Sequence, residues 1–482
     1  MLFNSLKFLV FFPLVFMLYW ALPHRARKYL LLAASYYFYM CWKPEFIVLI
    51  LYSTAVDYFC ALGMERRAEQ KKLFLAVSLT MNLGLLFFFK YFNFFGATLT
   101  ALCRAVSIPF SAPVLSIILP VGISFYTFQT LSYTIDVYRG KMKAEHDFLY
   151  FALFVSYFPQ LVAGPIEKAV DLLPQLKAEH RFDYDRTVHG ARLMAWGFFK
   201  KCVCAAYLGA LVDKVYGNVE AYGGGAVVLA TAAFSFQLYC DFGGYSDIAR
   251  GCSEMLGVEL TKNFIAPNFA TSTQELRRRW HTSLSRWFRE YIYFPLGGSR
   301  KGFGRTVLNT WIVFFLSGLW HGASWNFVVW GLLQALYISG ELIVRRVKGP
   351  GSDAAHGLGY KTMMWAVTFA WAGFTRVFFR TSTIVEAWTA IRVAVTGLAH
   401  PGDYLRSAYA LLLSGGRLAA LATVFSMSVL IAVDVLDEKT DAMEAVGRLR
   451  PIVRYPLYAV FLVGMVLLIP KTAPAPFIYF QF

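Results

Sequence analysis

VLNTWIVFFLSGLWHGASWNFVVWGLLQALYI, Val307 to Ile338, is an uncharged run in which only His321 titrates near neutrality. As one straight helix its thirty-two residues would extend ~48 Å, against a hydrocarbon core of roughly 30 Å. Arg300, Lys301 and Arg305 precede it and Arg345, Arg346 and Lys348 follow it, and the positive-inside tendency places both clusters on the cytoplasmic face. The run is therefore expected to enter the membrane, break and return. Gly318 to Ser324, where two glycines and a serine bracket Trp320 and His321, is the expected break. Irregular backbone at that depth must be buried in protein or line a cavity. An ionisable residue there is a functional candidate, the plain alternative being a histidine hydrogen-bonded inside a helix bundle.

The rest of the composition agrees. The chain has 482 residues, of which 58% are hydrophobic and 18% aromatic, with mean hydropathy +0.51; this is too apolar for a soluble globular domain. The net charge of +17 is spread over short loops between apolar runs, where it encodes topology rather than nucleic-acid binding. The seven cysteines lie mostly within apolar runs and form no zinc-like knuckles, so they read as small buried hydrophobes and no metal is expected. The apolar first 22 residues end in Pro23 and a basic loop without a small-residue cleavage site, and read as a retained first span.

Apolar runs at Leu6 to Leu22, Tyr29 to Trp42, Phe46 to Leu62 and Leu73 to Phe95 alternate between basic and near-neutral loops, which puts the N-terminus outside. Pro113 to Val137 reads as the next span, and Ala163 to Lys168, AGPIEK, as a turn or re-entrant loop inside a stretch whose topology stays open. Ala226 to Cys240 leads into Asp241 to Asp247, DFGGYSD, read as a Gly-Gly turn framed by two carboxylates. From Leu276 to Phe294 the stripe Trp280, Leu284, Trp287 and Tyr291 has helical spacing, so one amphipathic helix along the cytoplasmic interface is expected, with His281 at the border of its faces. Spans at Thr362 to Phe379, Leu418 to Leu436 and Tyr455 to Ile469 leave the C-terminus outside as well. The fold expected is an all-α polytopic membrane protein of about eleven transmembrane or re-entrant helices, built as one domain over residues 1–482 with an extracytoplasmic tail from 470 to 482.

His281 and His321 suit proton transfer better than metal binding, since no third ligand, HxxxH or HxH pair accompanies them. A neutral imidazole has a pKa suited to taking a proton from an attacking hydroxyl. Trp320, Trp325 and Asn326 surround His321 in sequence and could steady an oxyanion, or simply pack. Asp241 and Asp247 could orient a histidine or serve as plain turn residues. Arg277, Arg278 and Arg279 could meet the phosphates of a nucleotide-bearing donor, although topology already accounts for basic residues there.

The strings FFPLVFMLYWALP from Phe11, LPVGISFYTFQTLSYTIDVYRG from Leu119, AGPI at Ala163, DFGGYSDIARG from Asp241, RRWHTSLSRWFREYIYFPLGG from Arg278 and GLWHGASWNFVVWG from Gly318, in this order, resemble the membrane-bound O-acyltransferases, in particular their bacterial alginate O-acetyltransferase branch. The resemblance implies a funnel-shaped helical bundle with a tunnel, His321 as the catalytic histidine and His281 as the second functional one. It also implies acetyl-CoA as the cytoplasmic donor substrate with no bound cofactor, a cell-envelope polysaccharide as acceptor, a periplasmic SGNH-type transferase as partner, and the bacterial inner membrane as location. Arg277 departs from the family, which often has an aromatic residue there. The tail, PAPFIYFQF, is similar to a Phe-Pro-Phe-Ile-Tyr-x-x-Phe motif of such acyl-transfer systems, with Ala475 in place of the first Phe, and the motif implies that Tyr479 relays the acyl group. A phenol of pKa about 10 is closer to a thiol of about 8.5 than an alkyl alcohol is, so an aryl ester keeps much of a thioester's transfer potential. Lys471 to Phe482 could extend ~40 Å, against the roughly 15 Å from the outer face to mid-bilayer. Packing of the tail against the bundle or a partner is the alternative. A carrier-protein thioester donor, as in D-alanyl transfer, and a transporter or flippase of an envelope precursor remain open beside this reading.

Overall fold

The computed structural model describes residues 1–348, 357–470 and Phe477. The regular structure of the described residues is helical, with no strand beyond an isolated bridge between Phe264 and Trp280. Seven helices among them are long and apolar enough to cross a bilayer: Pro44–Arg66, Ala68–Ala105, Tyr184–Tyr216, Gly224–Met255, Trp325–Val347, Arg417–Asp437 and Pro451–Leu468. The others are shorter or more polar. The chain is therefore an all-helical, multi-pass membrane protein, packed as two compact units, Met1–Ala191 with Ala249–Thr261, and Arg192–Ile248 with Lys262–Phe482.

In the first unit the rings of Phe3, Phe8, Phe38 and Phe158 form a buried cluster, with Phe3 and Phe8 centroids 4.7 Å apart. The segment read as a span from Pro113 becomes helical only at Ile123, after Gly122 at φ 78°. Pro109, Pro113 and Pro120 interrupt the preceding stretch, and each lacks the N–H a helix interior needs. AGPIEK is a buried, non-helical turn between Phe158–Leu161 and Ala169–Lys177. Such backbone is tolerable only if its polar groups are satisfied. Here the Glu167 carboxylate accepts from the backbone N–H of Thr261 at 2.6 Å and from its hydroxyl at 3.0 Å, tying the turn down.

The second unit contains the run that opened the sequence. It forms two helices, Phe303–His321 and Trp325–Lys348, with the reversal at Gly322 to Ser324. Gly318 does not break the chain; it stays helical and lets the two helices touch. A Cβ there would lie 2.3 Å from the Phe327 carbonyl oxygen, and one on Gly331 would lie 2.3 Å from that of Phe314. Neither position accepts a side chain without parting the helices. Sixteen residues of rise carry the chain ~24 Å from Arg305 to His321, well inside a hydrocarbon core of roughly 30 Å.

Two other readings are corrected. Asp241 to Asp247 is not a turn, because the helix runs unbroken from Gly224 to Met255. Its glycines serve contact instead of bending: a Cβ on Gly244 would meet the Gly197 carbonyl oxygen at 2.7 Å, and one on Gly197 that of Gly244 at 2.6 Å. Across this contact Lys200 pairs with Asp247 and Lys201 with Asp241. The stretch from Leu276 to Phe294 is not one amphipathic helix either. It divides into Thr273–Arg279, Thr282–Phe288 and a wider turn at Arg289–Tyr293, and Leu284, Trp287 and Tyr291 are buried while Trp280 sits in the break.

Two substitution sets test this packing by thermal melting of the detergent-purified protein. Gly331→Ala is expected to destabilise by on the order of 1–3 kcal/mol through overpacking, whereas Gly340→Ala, in the same helix with open space around it, should stabilise by roughly 0.5–1 kcal/mol. Lys201→Met strands a buried carboxylate and should destabilise by about 3–5 kcal/mol, with Lys201→Met combined with Asp241→Leu recovering most of it.

Candidate functional site

His281 owes its position to a backbone break. Ser272 caps the Thr273–Arg279 helix by accepting from the Glu275 N–H at 3.1 Å, while the Glu275 carboxylate accepts from the Thr271 N–H at 2.7 Å, a reciprocal cap that fixes where the helix starts. The helix ends at Trp280, and His281 takes φ 45°, a conformation that is costly for a residue with a Cβ and is retained where surrounding structure enforces it. Asn263 does the enforcing. Its carbonyl accepts from the Thr282 N–H at 3.1 Å and its side-chain oxygen from the Ser283 N–H at 3.2 Å, so the new helix begins with its first donors satisfied. The imidazole is thereby turned inward and is 2% exposed, edge-on to Phe242 at 4.8 Å. It lies outside the seven candidate spans, and burial pushes its pKa down to about 3. It is neutral at physiological pH.

His321 is the last helical residue before the hairpin reversal. Its ring meets Trp320 at 5.0 Å, Trp330 at 5.0 Å and Phe379 at 5.3 Å, all near edge-to-face. Trp320 lies between the two histidines, 5.9 Å from His281. Both imidazoles line one cavity of about 100 Å³, together with Arg277, Trp280, Ser317, Gln334 and Arg376. That space holds several waters, and so a short acyl group. A second cavity of about 240 Å³, lined by Gln274, Arg277, Arg278, Arg289, Tyr293 and Thr310, shares Arg277, Ser285, Val313 and Phe314 with the first.

The other sequence candidates separate. Arg277 and Arg278 line the second cavity, but Arg279 is occupied by Glu275 at 2.6 Å and by Glu438. Asp241 and Asp247 are the partners of Lys201 and Lys200 and line neither cavity. Asn326 donates to the Thr381 carbonyl at 2.7 Å and its hydroxyl at 3.2 Å, latching the hairpin to the Leu358–Arg380 helix. Trp325 is half exposed. Tyr479 lies outside the described residues. Phe477, two residues earlier, is 1% exposed, with its ring 5.6 Å from Phe242, 5.1 Å from Tyr245 and 5.0 Å from the Lys201 ammonium. Phe477 thus touches the same Phe242 that packs on His281.

Sequence reasoning missed Trp330, Gln334, Phe379 and Arg376. Arg376 carried a signal, as a lone charge within the apolar run Thr362 to Phe379. The other three are ordinary residues of apolar helices, and only their packing makes them part of the site.

The model of the membrane-bound O-acyltransferase family matches residues 142–379. The chain is 38% identical over 396 residues to the probable alginate O-acetylase AlgI of Pseudomonas aeruginosa, covering 80% of this chain and 74% of that one. It is 32% identical over 421 residues to the peptidoglycan O-acetyltransferase of Helicobacter pylori, covering 80% and 78%. A teichoic acid D-alanyltransferase of Lacticaseibacillus rhamnosus is 31% identical over 246 residues, covering 45% and 58%. The matched region holds both histidines and every helix lining their cavity, and with this similarity over most of its length the chain belongs to the membrane-bound O-acyltransferase family.

Proposed function

We propose that the protein transfers an acetyl group from cytoplasmic acetyl-CoA to a hydroxyl beyond the bacterial inner membrane, for O-acetylation of an envelope polysaccharide of the alginate or peptidoglycan type. Both termini are extracytoplasmic in this scheme. The observation that carries it is that His281 and His321, forty residues apart in sequence, line one and the same cavity. The adjoining cavity supports the donor assignment: Arg277, Arg278 and Arg289 offer forked cations to the phosphates of a coenzyme.

In the transfer, the hydroxyl oxygen attacks the thioester carbonyl carbon as His321 takes the hydroxyl proton. The tetrahedral centre collapses with loss of the C–S bond, and the proton passes to the leaving sulfur, giving ester and free thiol. Edge contacts with Trp320, Trp330 and Phe379 hold the imidazole and exclude water that would hydrolyse the thioester. His281, buried and neutral, serves as a hydrogen-bonding group rather than a proton store.

Tyr479 receives the acetyl group first in this reading, and a periplasmic SGNH-type transferase then passes it to the polysaccharide. The buried Phe477 supports this: its ring is seated on Phe242, the neighbour of His281, and the chain from its Cα to that of Tyr479 spans at most ~7 Å.

Two experiments test the scheme with purified protein and labelled acetyl-CoA. His321→Ala, folded normally, should lose ~10²–10⁴-fold in thiol release; undiminished release would remove His321 from the chemistry. Mass spectrometry of the wild type should find acetyl on Tyr479, and Tyr479→Phe, which has no phenol oxygen to take the acetyl group, should release almost no thiol. An unlabelled Tyr479 together with a fully active Tyr479→Phe variant would exclude the relay while leaving the His321 step intact.

A further inference from the structure

Three helices of the first unit enclose a carboxyl group for which the transfer scheme has no use. Asp57, on the Pro44–Arg66 span, is 0% exposed. The Ser78 hydroxyl donates to its Oδ1 at 2.5 Å and Asn82 Nδ2 donates to the same oxygen at 2.9 Å, both from the Ala68–Ala105 span. From the Ile123–Tyr138 helix, the Thr134 hydroxyl lies 3.1 Å from that of Ser78, and the Thr130 hydroxyl reaches the carboxyl group. Among the described residues no basic side chain pairs with Asp57. A carboxylate with no counter-charge is strongly disfavoured in apolar surroundings. Either a proton or a bound cation must balance it.

The neighbouring oxygens separate these two cases. Asp57 Oδ2, Asn82 Oδ1 and Ser53 Oγ are all buried and make no hydrogen bond. Turning the Asn82 amide over does not cure this, because its Nδ2 also donates to the Ser78 carbonyl at 3.0 Å, which an oxygen could not do. Ser53 stands one helical turn before Asp57, so the two side chains share a face of their span. Its neighbour Thr54 donates back to the Ile50 carbonyl at 2.7 Å, whereas Ser53 makes no such bond. A proton on Asp57 would remove the charge and still leave Ser53 without a partner. A cation would take lone pairs from all three oxygens at once.

We propose that Asp57, Asn82 and Ser53 bind a monovalent alkali-metal cation inside the first unit, and that the ion braces the three helices around it. Oxygen ligands with a carboxylate among them suit a hard cation. One negative charge matches one positive charge, and a divalent ion would leave a net charge buried. The ligands come from two spans, and Ser78 carries the tie to the third helix. Such a site needs one carboxylate and neutral oxygens, not a cluster of histidines, cysteines and carboxylates, of which the described residues hold none. An ion held by the folded chain and released on unfolding stabilises the fold in proportion to the logarithm of its concentration above saturation.

The test uses the full-length purified protein, with NaCl exchanged for choline chloride at constant ionic strength. Wild type should bind radiolabelled Na+ saturably, and its melting temperature should rise by ~3 °C or more when Na+ reaches about a hundredfold excess over the dissociation constant. Asp57→Asn, an uncharged isostere, should bind no Na+ and melt at the same temperature in both salts. Ser53→Ala removes an oxygen that makes no hydrogen bond, so it should melt with wild type in choline while its half-saturation moves to about tenfold higher Na+. Wild type that binds no Na+ and melts alike in both salts overturns the proposal and marks Asp57 as a protonated acid, whether or not the variants fold. Folded Asp57→Asn that binds Na+ as wild type does, or Ser53→Ala with unchanged half-saturation, overturns the ligand assignment. Neither readout involves acyl transfer, so failure of the transfer scheme leaves them intact.

Discussion

The constraint on which the second unit depends is the backbone reversal at Gly322 to Ser324, deep in an apolar hairpin. Peptide groups that leave a helix in such surroundings have no water to turn to, so protein must enclose them. The close approach of the two helices at Gly318 and Gly331 accomplishes part of this. The latch from Asn326 to Thr381 adds a third helix beside the turn. His321 stands at the end of the first helix, and the aromatic rings that close around it follow from that enclosure. An imidazole is thus placed where the fold must already be tight.

Around this reversal, charge is handled in two ways. Lys200 and Lys201 are neutralised by Asp247 and Asp241 across a helix contact made possible by Gly197 and Gly244. A pair of this kind adds little net stability, but removing one partner leaves a stranded charge, so it holds the two helices in register. Lys201 also lies under the ring of Phe477, which joins that ring to the paired lysines. The cavity of His281 and His321 is lined by two arginines, Arg277 and Arg376.

Several features were legible in the residues alone. An uncharged run too long for one span, with Gly and Ser around a histidine, marked both the hairpin and His321. The motif order marked the family. Two stretches misled for identifiable reasons. DFGGYSD reads as a turn because Gly-Gly between carboxylates usually is one; here Lys200 and Lys201, some forty residues upstream, take the carboxylates, and Gly244 faces Gly197. The stripe Trp280, Leu284, Trp287 and Tyr291 fits an unbroken helix, but Asn263 supplies hydrogen bonds to Thr282 and Ser283 that make a break at His281 affordable. Neither partner is near in sequence.

By itself, then, the sequence determined that this is a helical membrane protein of the acyltransferase family, where its central run must reverse, and which histidine stands at that point, because hydropathy, charge placement and glycine positions act locally along the chain. The tertiary structure alone decided that His281 turns inward to share a cavity with His321, that Asp241 and Asp247 neutralise lysines instead of facing that cavity, and that Arg376 lines it. Those outcomes depend on which distant groups satisfy a broken backbone or a buried charge, and no local pattern specifies the identity of a distant partner.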